Sequence, residues 1–179
     1  KYKHMKLECS LEKIKNSILQ AERITGKNLT LPILNSILFI ASGKSLKLRS
    51  TNLSLGLEIE IPAKIEKEGS VAVSGSVLSG IFSNINQNEN IEIESVDGNV
   101  LIKTKKNKIK VRGGQIEDFP TIPTVEGKSF EIEAGKLIEG IKSVYYSASV
   151  SDIKVEISSV FIYKDEDQLV FVSTDSFRL

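Results

Sequence analysis

From Leu53 to Ile61 the chain alternates strictly: Leu53, Leu55, Leu57, Ile59 and Ile61 are apolar, and Ser54, Gly56, Glu58 and Glu60 lie between them. A period of two puts neighbouring side chains on opposite faces, so the stretch predicts a strand with one dry and one wet side. The same alternation recurs in SLKLRS, NIEIES, NVLIKTK and NKIKVRG. Asp97-Gly98, between the second and third of these, is a hairpin signal because Gly tolerates positive φ. Antiparallel strands with a wet face need a covering layer on the dry one. Helical spacing supplies it three times. After MKLEC, Ser10 is placed to cap a helix with Leu11, Ile14, Ile18 and Ala21 on one side. After SVAVS come Leu78, Ile81 and Ile85, and after SFEIE come Leu137, Ile141, Val144 and Ala148.

The elements therefore recur in the order strand, helix, several strands, which predicts an internal repeat. Lys13-Ile14 matches Lys136-Leu137 and Ile18 matches Ile141, both 123 positions apart. Leu38-Phe39-Ile40 matches Val160-Phe161-Ile162 at 122, and Ser50-Thr51-Asn52 falls on Ser173-Thr174-Asp175 at 123. A middle copy starts near Ser70. The expected architecture is α+β, built from repeated β-α-β-β-β units. Two copies make a first domain over residues 5–122, and a linker with Pro120 and Pro123 covers 113–128. A third, incomplete copy opens a second domain over 129–179. That incompleteness leaves a sheet edge unpaired and predicts a fragment of a longer chain. His4 beside Met5 points to Met5 as the natural start, with residues 1–4 a tag remnant.

Composition narrows the function. A net charge of +1 excludes a binder that holds nucleic acid by bulk electrostatics, but not a local basic face. Cys9 is the only cysteine, so no intrachain disulfide forms and a reducing cytoplasm is the expected compartment. No apolar run approaches the roughly 20 residues that span a bilayer. Enzyme motifs fail on inspection. SGKS at Ser42–Ser45 lacks the earlier glycine of a phosphate-binding loop, since Leu38 stands there. GSVLSG lacks the spacing of a nucleophile elbow. One histidine and one cysteine do not make a usual zinc site, and Asp165, Glu166 and Asp167 read as an ordinary acidic turn. No cofactor, metal or catalytic residue is expected.

Four phrases in order, TLPILNSILF, STNLSLGLEIEIPA, EDFPTIP and STDSFRL, resemble the bacterial DNA polymerase III β sliding clamp family from Met5 to Leu179. The resemblance implies the DNA clamp fold, with antiparallel sheets outside and helices on an inner face. It implies a non-catalytic protomer of three such domains, and a head-to-tail homodimer ring around double-stranded DNA. It further implies the replicative DNA polymerase catalytic subunit and a clamp loader as partners. A ring that slides must avoid tight phosphate clusters and base readout. On that basis Lys13, Gln20, Arg23, Lys27, Lys136 and Lys154 are the expected DNA-facing residues, with Asn16 and Ser17 on the same face of the first helix. Lys106, Lys108, Ile109 and Val111 fall on the family's protomer interface, where the lysines meet acidic side chains and the apolar pair faces the partner. Thr174, Phe177, Arg178 and Leu179 form one wall of the family's pocket for short client motifs. Many members have His where Phe177 stands. The other reading is a repeat-built protein-interaction scaffold that never encircles DNA.

Overall fold

The computed structural model describes residues 4–26, 31–85, 89–114, 116–123, 126–127, 129–151 and 154–178. It divides into two compact units, Lys1–Thr124 and Val125–Leu179. In the first, β1 (Lys6–Ser10), α1 (Leu11–Ile24), β2 (Ser36–Ser42), β3 (Ser45–Thr51) and β4 (Gly56–Lys67) make one β-α-β-β-β unit. β5 (Gly69–Ser74), α2 (Gly75–Ser83), β6 (Asn90–Val96), β7 (Asn99–Lys103) and β8 (Lys108–Gly114) make another.

The strands close in the order β1-β4-β3-β2-β5-β8-β7-β6, every neighbouring pair antiparallel. The two repeats interlock at their first strands. β1 pairs along its length with β6 of the other repeat, and β5 pairs with β2. Asp97 (φ 50) and Gly98 (φ 73) make the β6–β7 turn, with positive φ at both positions as a tight hairpin requires. Gly113 sits against that turn. Its N–H donates to the Gly98 carbonyl at 2.8 Å, and a Cβ there would stand 2.7 Å from the same oxygen. Gly113 and Gly114 therefore belong to β8, although the sequence reading began the linker with them.

α1 has no proline or glycine and buries Leu11, Ile14, Ile18 and Ala21 at helical spacing. Ser10 stands at its N-cap, but its side chain makes no capping bond; the Leu11 N–H is met by the Glu89 carbonyl at 3.0 Å. Ser17 is 6% exposed, so it is not on the wet face; its hydroxyl donates to the Lys13 carbonyl at 2.9 Å. α2 contributes Leu78 and Phe82 to the core, and Ile85 follows just past its end. The helices pack antiparallel. Lys15 Nζ donates to the Ser83 and Ile85 carbonyls at 3.4 and 3.1 Å, and the side chains of Glu22 and Thr25 lie beside Gly75.

β4 begins at Gly56, so Leu53 and Leu55 lie outside it although the alternation runs through them. At the other end of the chain's first unit, Met5 is fully buried and its N–H donates to Ser95 Oγ at 2.8 Å. His4 Nε2 is 3.2 Å from Glu94 Oε1, so His4 lies against β6.

The second unit holds α3 (Ala134–Val144) and the hairpin β9 (Phe161–Asp165) to β10 (Gln168–Val172). Gly140 seats α3 on the hairpin, since a Cβ there would stand 2.5 Å from the Phe171 ring. The Ser173 hydroxyl donates to the Val144 carbonyl. SFEIE, expected as a strand, forms none, and Phe130 within it is 71% exposed. The equivalent β1 exists by pairing with β6 and β4, and the described residues of the second unit offer SFEIE no such edge.

Candidate functional site

The wet side of α1 presents Lys13, Asn16, Gln20 and Arg23, all exposed, opposite Ile14, Ile18 and Ala21. Lys27 lies outside the described residues. Lys13 and Arg23 pair with no carboxylate among the described residues. Cations on the sheets differ. Lys6 reaches Glu66 at 2.7 Å, Lys47 reaches Glu58 at 3.2 Å, and Lys103 reaches Glu94 at 2.9 Å and also bonds Glu92. Arg49 shares Glu58 with Lys47. Hydrogen bonds from these cations hold the carboxyls low: Arg49 acts first on Glu58, Lys6 on Glu66 and Lys103 on Glu94. Lys6 and Lys103 are raised in turn, chiefly by their bonds to Glu66 and Glu92. These four sheet cations are thus held by carboxylates, whereas Lys13 and Arg23 on α1, like Lys108, Lys110 and Arg112 on β8, pair with none among the described residues.

α2 carries no cation; Ser76, Gly80 and Ser83 are exposed and Ser79 is half-buried. In the second unit Lys136 is exposed and stands 3.8 Å from Glu133 one helical turn away, and Lys154 is exposed.

β8 is the densest basic element. It pairs with β7 from Lys108 to Arg112, while on its other side only Gly113 and Gly114 meet β5. The Lys108–Arg112 stretch therefore has one unpaired edge among the described residues. Lys106, Lys108, Lys110 and Arg112 are exposed around it. Val111 is not: it is 7% exposed and belongs to the core of its own unit, with Ile109 half-buried against that core. The expectation that this apolar pair faces a partner is corrected. Alternation places Ile109 and Val111 on one face, and that face is the inner one.

Residues 173–178 form a compact loop after β10. Thr174 Oγ1 donates to the Arg178 carbonyl at 2.6 Å and accepts from the Ser176 N–H at 3.0 Å. Asp175 Oδ1 accepts from the N–H groups of Phe177 and Arg178, each at 3.0 Å, and Oδ2 accepts from Arg178 Nε at 2.9 Å. The Phe177 N–H, with help from Arg178, holds the Asp175 carboxyl below its ordinary range. The loop thereby projects Phe177, 96% exposed, beside Arg178, while Thr174 stays half-buried. Leu179 lies outside the described residues. The first repeat builds the same loop: Thr51 Oγ1 donates to the Leu55 carbonyl at 2.8 Å and accepts from the Leu53 N–H at 3.0 Å. Asn52 Oδ1 accepts from Ser54 and Leu55 at 3.0 and 2.8 Å. Leu53 (φ 76) and Ser176 (φ 74) share the left-handed backbone. The paired phrases STNLSL and STDSFR are one loop used twice.

Among the described residues no cluster of His, Cys, Asp or Glu is placed to hold a metal ion, and no helix is long and apolar enough to cross a membrane. Cys9 is 4% exposed, and burial first, with the Glu8 charge, pushes its thiol up to about 12. A thiol so held is a poor nucleophile.

Known proteins share this arrangement. The sliding clamp of Bacillus subtilis superimposes with a TM-score of 0.89 at 21% identity, over 97% of this chain and 48% of that one. The beta subunit from Pseudomonas aeruginosa gives 0.88 at 21% identity, over 96% and 47%. The fold is therefore the α+β clamp fold. The family model for the N-terminal domain of the DNA polymerase III beta subunit matches residues 5–123, and the chain belongs to that family. The beta sliding clamp of Synechococcus elongatus is 25% identical over 178 residues, covering 98% of this chain and 48% of its own length. That of Synechocystis is 27% identical over 184 residues, covering 98% and 47%. The chain spans about half the length of the curated relatives it matches.

Proposed function

We propose that this chain supplies the first domain and part of the second of a β sliding clamp. The intact protein is a non-catalytic, cytoplasmic, head-to-tail homodimer ring that encircles duplex DNA and tethers the replicative polymerase after a clamp loader opens it. The observation that carries the reading is the family-matched unit itself, with two cations on the wet face of α1 that no described carboxylate neutralises. Lys6, Lys47 and Lys103 are held by carboxylates, while Lys13 and Arg23 on α1 pair with none among the described residues and can meet phosphates. Two separated cations, flanked by Asn16 and Gln20, attract a duplex without the many simultaneous contacts that would arrest it. Lys27, Lys136 and Lys154 are the further residues assigned to DNA in this reading.

β8 supports the interface assignment through its open backbone edge and through Lys106 and Lys108, which favour an acidic strand as partner. Burial there must come from residues other than Val111. Thr174, Phe177, Arg178 and Leu179 supply one wall of the client pocket, and the polymerase subunit and clamp loader dock on it through short apolar motifs.

The experiment uses the intact protomer that carries these residues. Loaded on nicked circular DNA, it is retained through gel filtration and lost once the circle is linearised. Equal retention on circular and linear DNA would overturn encirclement. Arg23→Ala and Lys13→Ala should each flatten the dependence of log affinity on log salt by about one.

A further inference from the structure

We propose that Lys15 and Glu22 on α1 are matched to the two ends of α2 and lock that helix antiparallel and in register, which makes Lys15 a positioning residue and not a DNA ligand. Its exclusion from DNA contact rests on the clamp reading, whereas the lock does not. α2 has nine residues, too few for a helix to hold itself in water. It also lacks end charges of its own. No acidic residue lies in its first turn, no basic residue in its last, and the Ser74 side chain makes no capping bond. A helix carries partial positive charge at its N-terminus and partial negative charge at its C-terminus. α1 supplies from across the interface what α2 lacks in its own sequence.

The last carbonyls of α2 can be followed one by one. Asn84 Nδ2 donates to the Gly80 carbonyl at 2.7 Å, the Asn84 N–H reaches those of Ile81 and Phe82, and the Ile85 N–H reaches Phe82 at 3.4 Å. The Ser83 and Ile85 carbonyls, beyond them, receive Lys15 Nζ at 3.4 and 3.1 Å. At the other end the Glu22 side chain lies against Gly75, where a Cβ would stand 3.4 Å from its Cγ. Lys15 and Glu22 are two helical turns apart, so they share one face of α1 at a spacing of about 10 Å, close to the length of α2, about 13 Å. The cation meets the negative end of α2 and the acid stands at the positive one. Turning α2 round would set both charges against it. The device is particular to this pair of helices: 123 positions on, in α3 and just past it, Ile138 and Tyr145 stand in the places of Lys15 and Glu22. Lys13 and Arg23 are exposed, whereas Lys15 is half-buried.

Amide hydrogen exchange of the 179-residue chain tests the lock. Lys15→Met should raise the exchange rates of Asn84 and Ile85 about threefold, and Lys15→Arg, which keeps the charge and the donors, should hold them at the original values. Glu22→Lys should do the same as Lys15→Met at Leu78 and Ser79, the first amides bonded within α2. Exchanging the two charges, Lys15→Glu with Glu22→Lys, should disturb both ends together, because each charge answers to one end of α2 and not to the other. On the intact protomer, Lys15→Met should leave the slope of log DNA affinity against log salt where it is, while Lys13→Ala flattens it by about one. Three results overturn the proposal: exchange unchanged in Lys15→Met, a charge exchange that returns the original rates, or a slope flattened by about one in Lys15→Met. An intact protomer whose DNA affinity ignores salt would sink the clamp reading instead, and the exchange rates would still decide the lock.

Discussion

Phe39 and Phe161 hold the same place in two copies of one repeat, yet one is 2% exposed and the other 64%. The loops that follow them are nearly superposable in chemistry: Thr51 and Thr174, Asn52 and Asp175, Leu53 and Ser176 make the same bonds with the same backbone. The contrast separates two levels of structure. Turn geometry is set within five residues, by side chains that bond their own backbone. Burial is set by a second repeat lying on the first, and the third repeat has no such neighbour among the described residues. Loop shape is thus written locally, and burial depends on what packs against the repeat.

The largest test of this contrast is a pair of truncations. Phe39→Ala should destabilise the first unit by about 3–5 kcal/mol, because the ring leaves a cavity in a closed core. Phe161→Ala, made in a half-solvated site, should fall within about 0.5 kcal/mol when the chain is monomeric. Urea unfolding followed by far-UV circular dichroism measures both. Comparable losses would mean that the third repeat is covered after all.

A smaller effect should be equal in the two copies. Thr51→Ala and Thr174→Ala each remove a hydroxyl that donates to one end of the loop and accepts from its middle. Losses of about 1 kcal/mol are expected at each, comparable to a helix N-cap. Amide exchange at Leu53 and Ser176 reads this directly, and both rates should rise about fivefold. If only the Leu53 amide responded, the loop would owe its shape to the surrounding core and not to its own side chains.

The same division explains what could be read before any coordinates. Alternation located β3, β6, β7 and β8 within a residue or two, and Asp97-Gly98 located their sharpest turn, because both signals are local. Alternation also overran. Leu53 and Leu55 continue the pattern of β4, but Thr51 and Asn52 take the backbone bonds that a ladder would need. The Thr51-Asn52 pair, repeated as Thr174-Asp175, is the local signal for that turn. Phe82, one helical turn beyond Leu78 and fully buried, extends the core face of α2 past the residues that spacing predicts. At the candidate sites, exposure of Lys13, Gln20 and Arg23 was legible from helical spacing. Their lack of ionic partners was not, because the competing carboxylates are placed by strand register. Val111 shows the limit most clearly: a period of two says which residues share a face and is silent on which face is inside.

The smallest effect turns on the one acidic residue in the two loops, Asp175, which stands where the first loop has Asn52. Both accept from two backbone N–H groups, but only Asp175 titrates. Its carboxyl is depressed chiefly by the Phe177 N–H, with Arg178 adding to it. A group with a lowered folded pKa stabilises the fold above its unfolded value, about 3.9 for Asp, and that contribution is lost as pH falls through the lower folded value. Acidification from pH 5 toward 3 should therefore loosen the Phe177 and Arg178 amides while leaving those of Ser54 and Leu55 as they were. Exchange rates corrected for intrinsic pH dependence give the ratio. Asp175→Asn should make the two loops respond alike, and a ratio that still shifts in that variant would assign the acid sensitivity to some group other than Asp175.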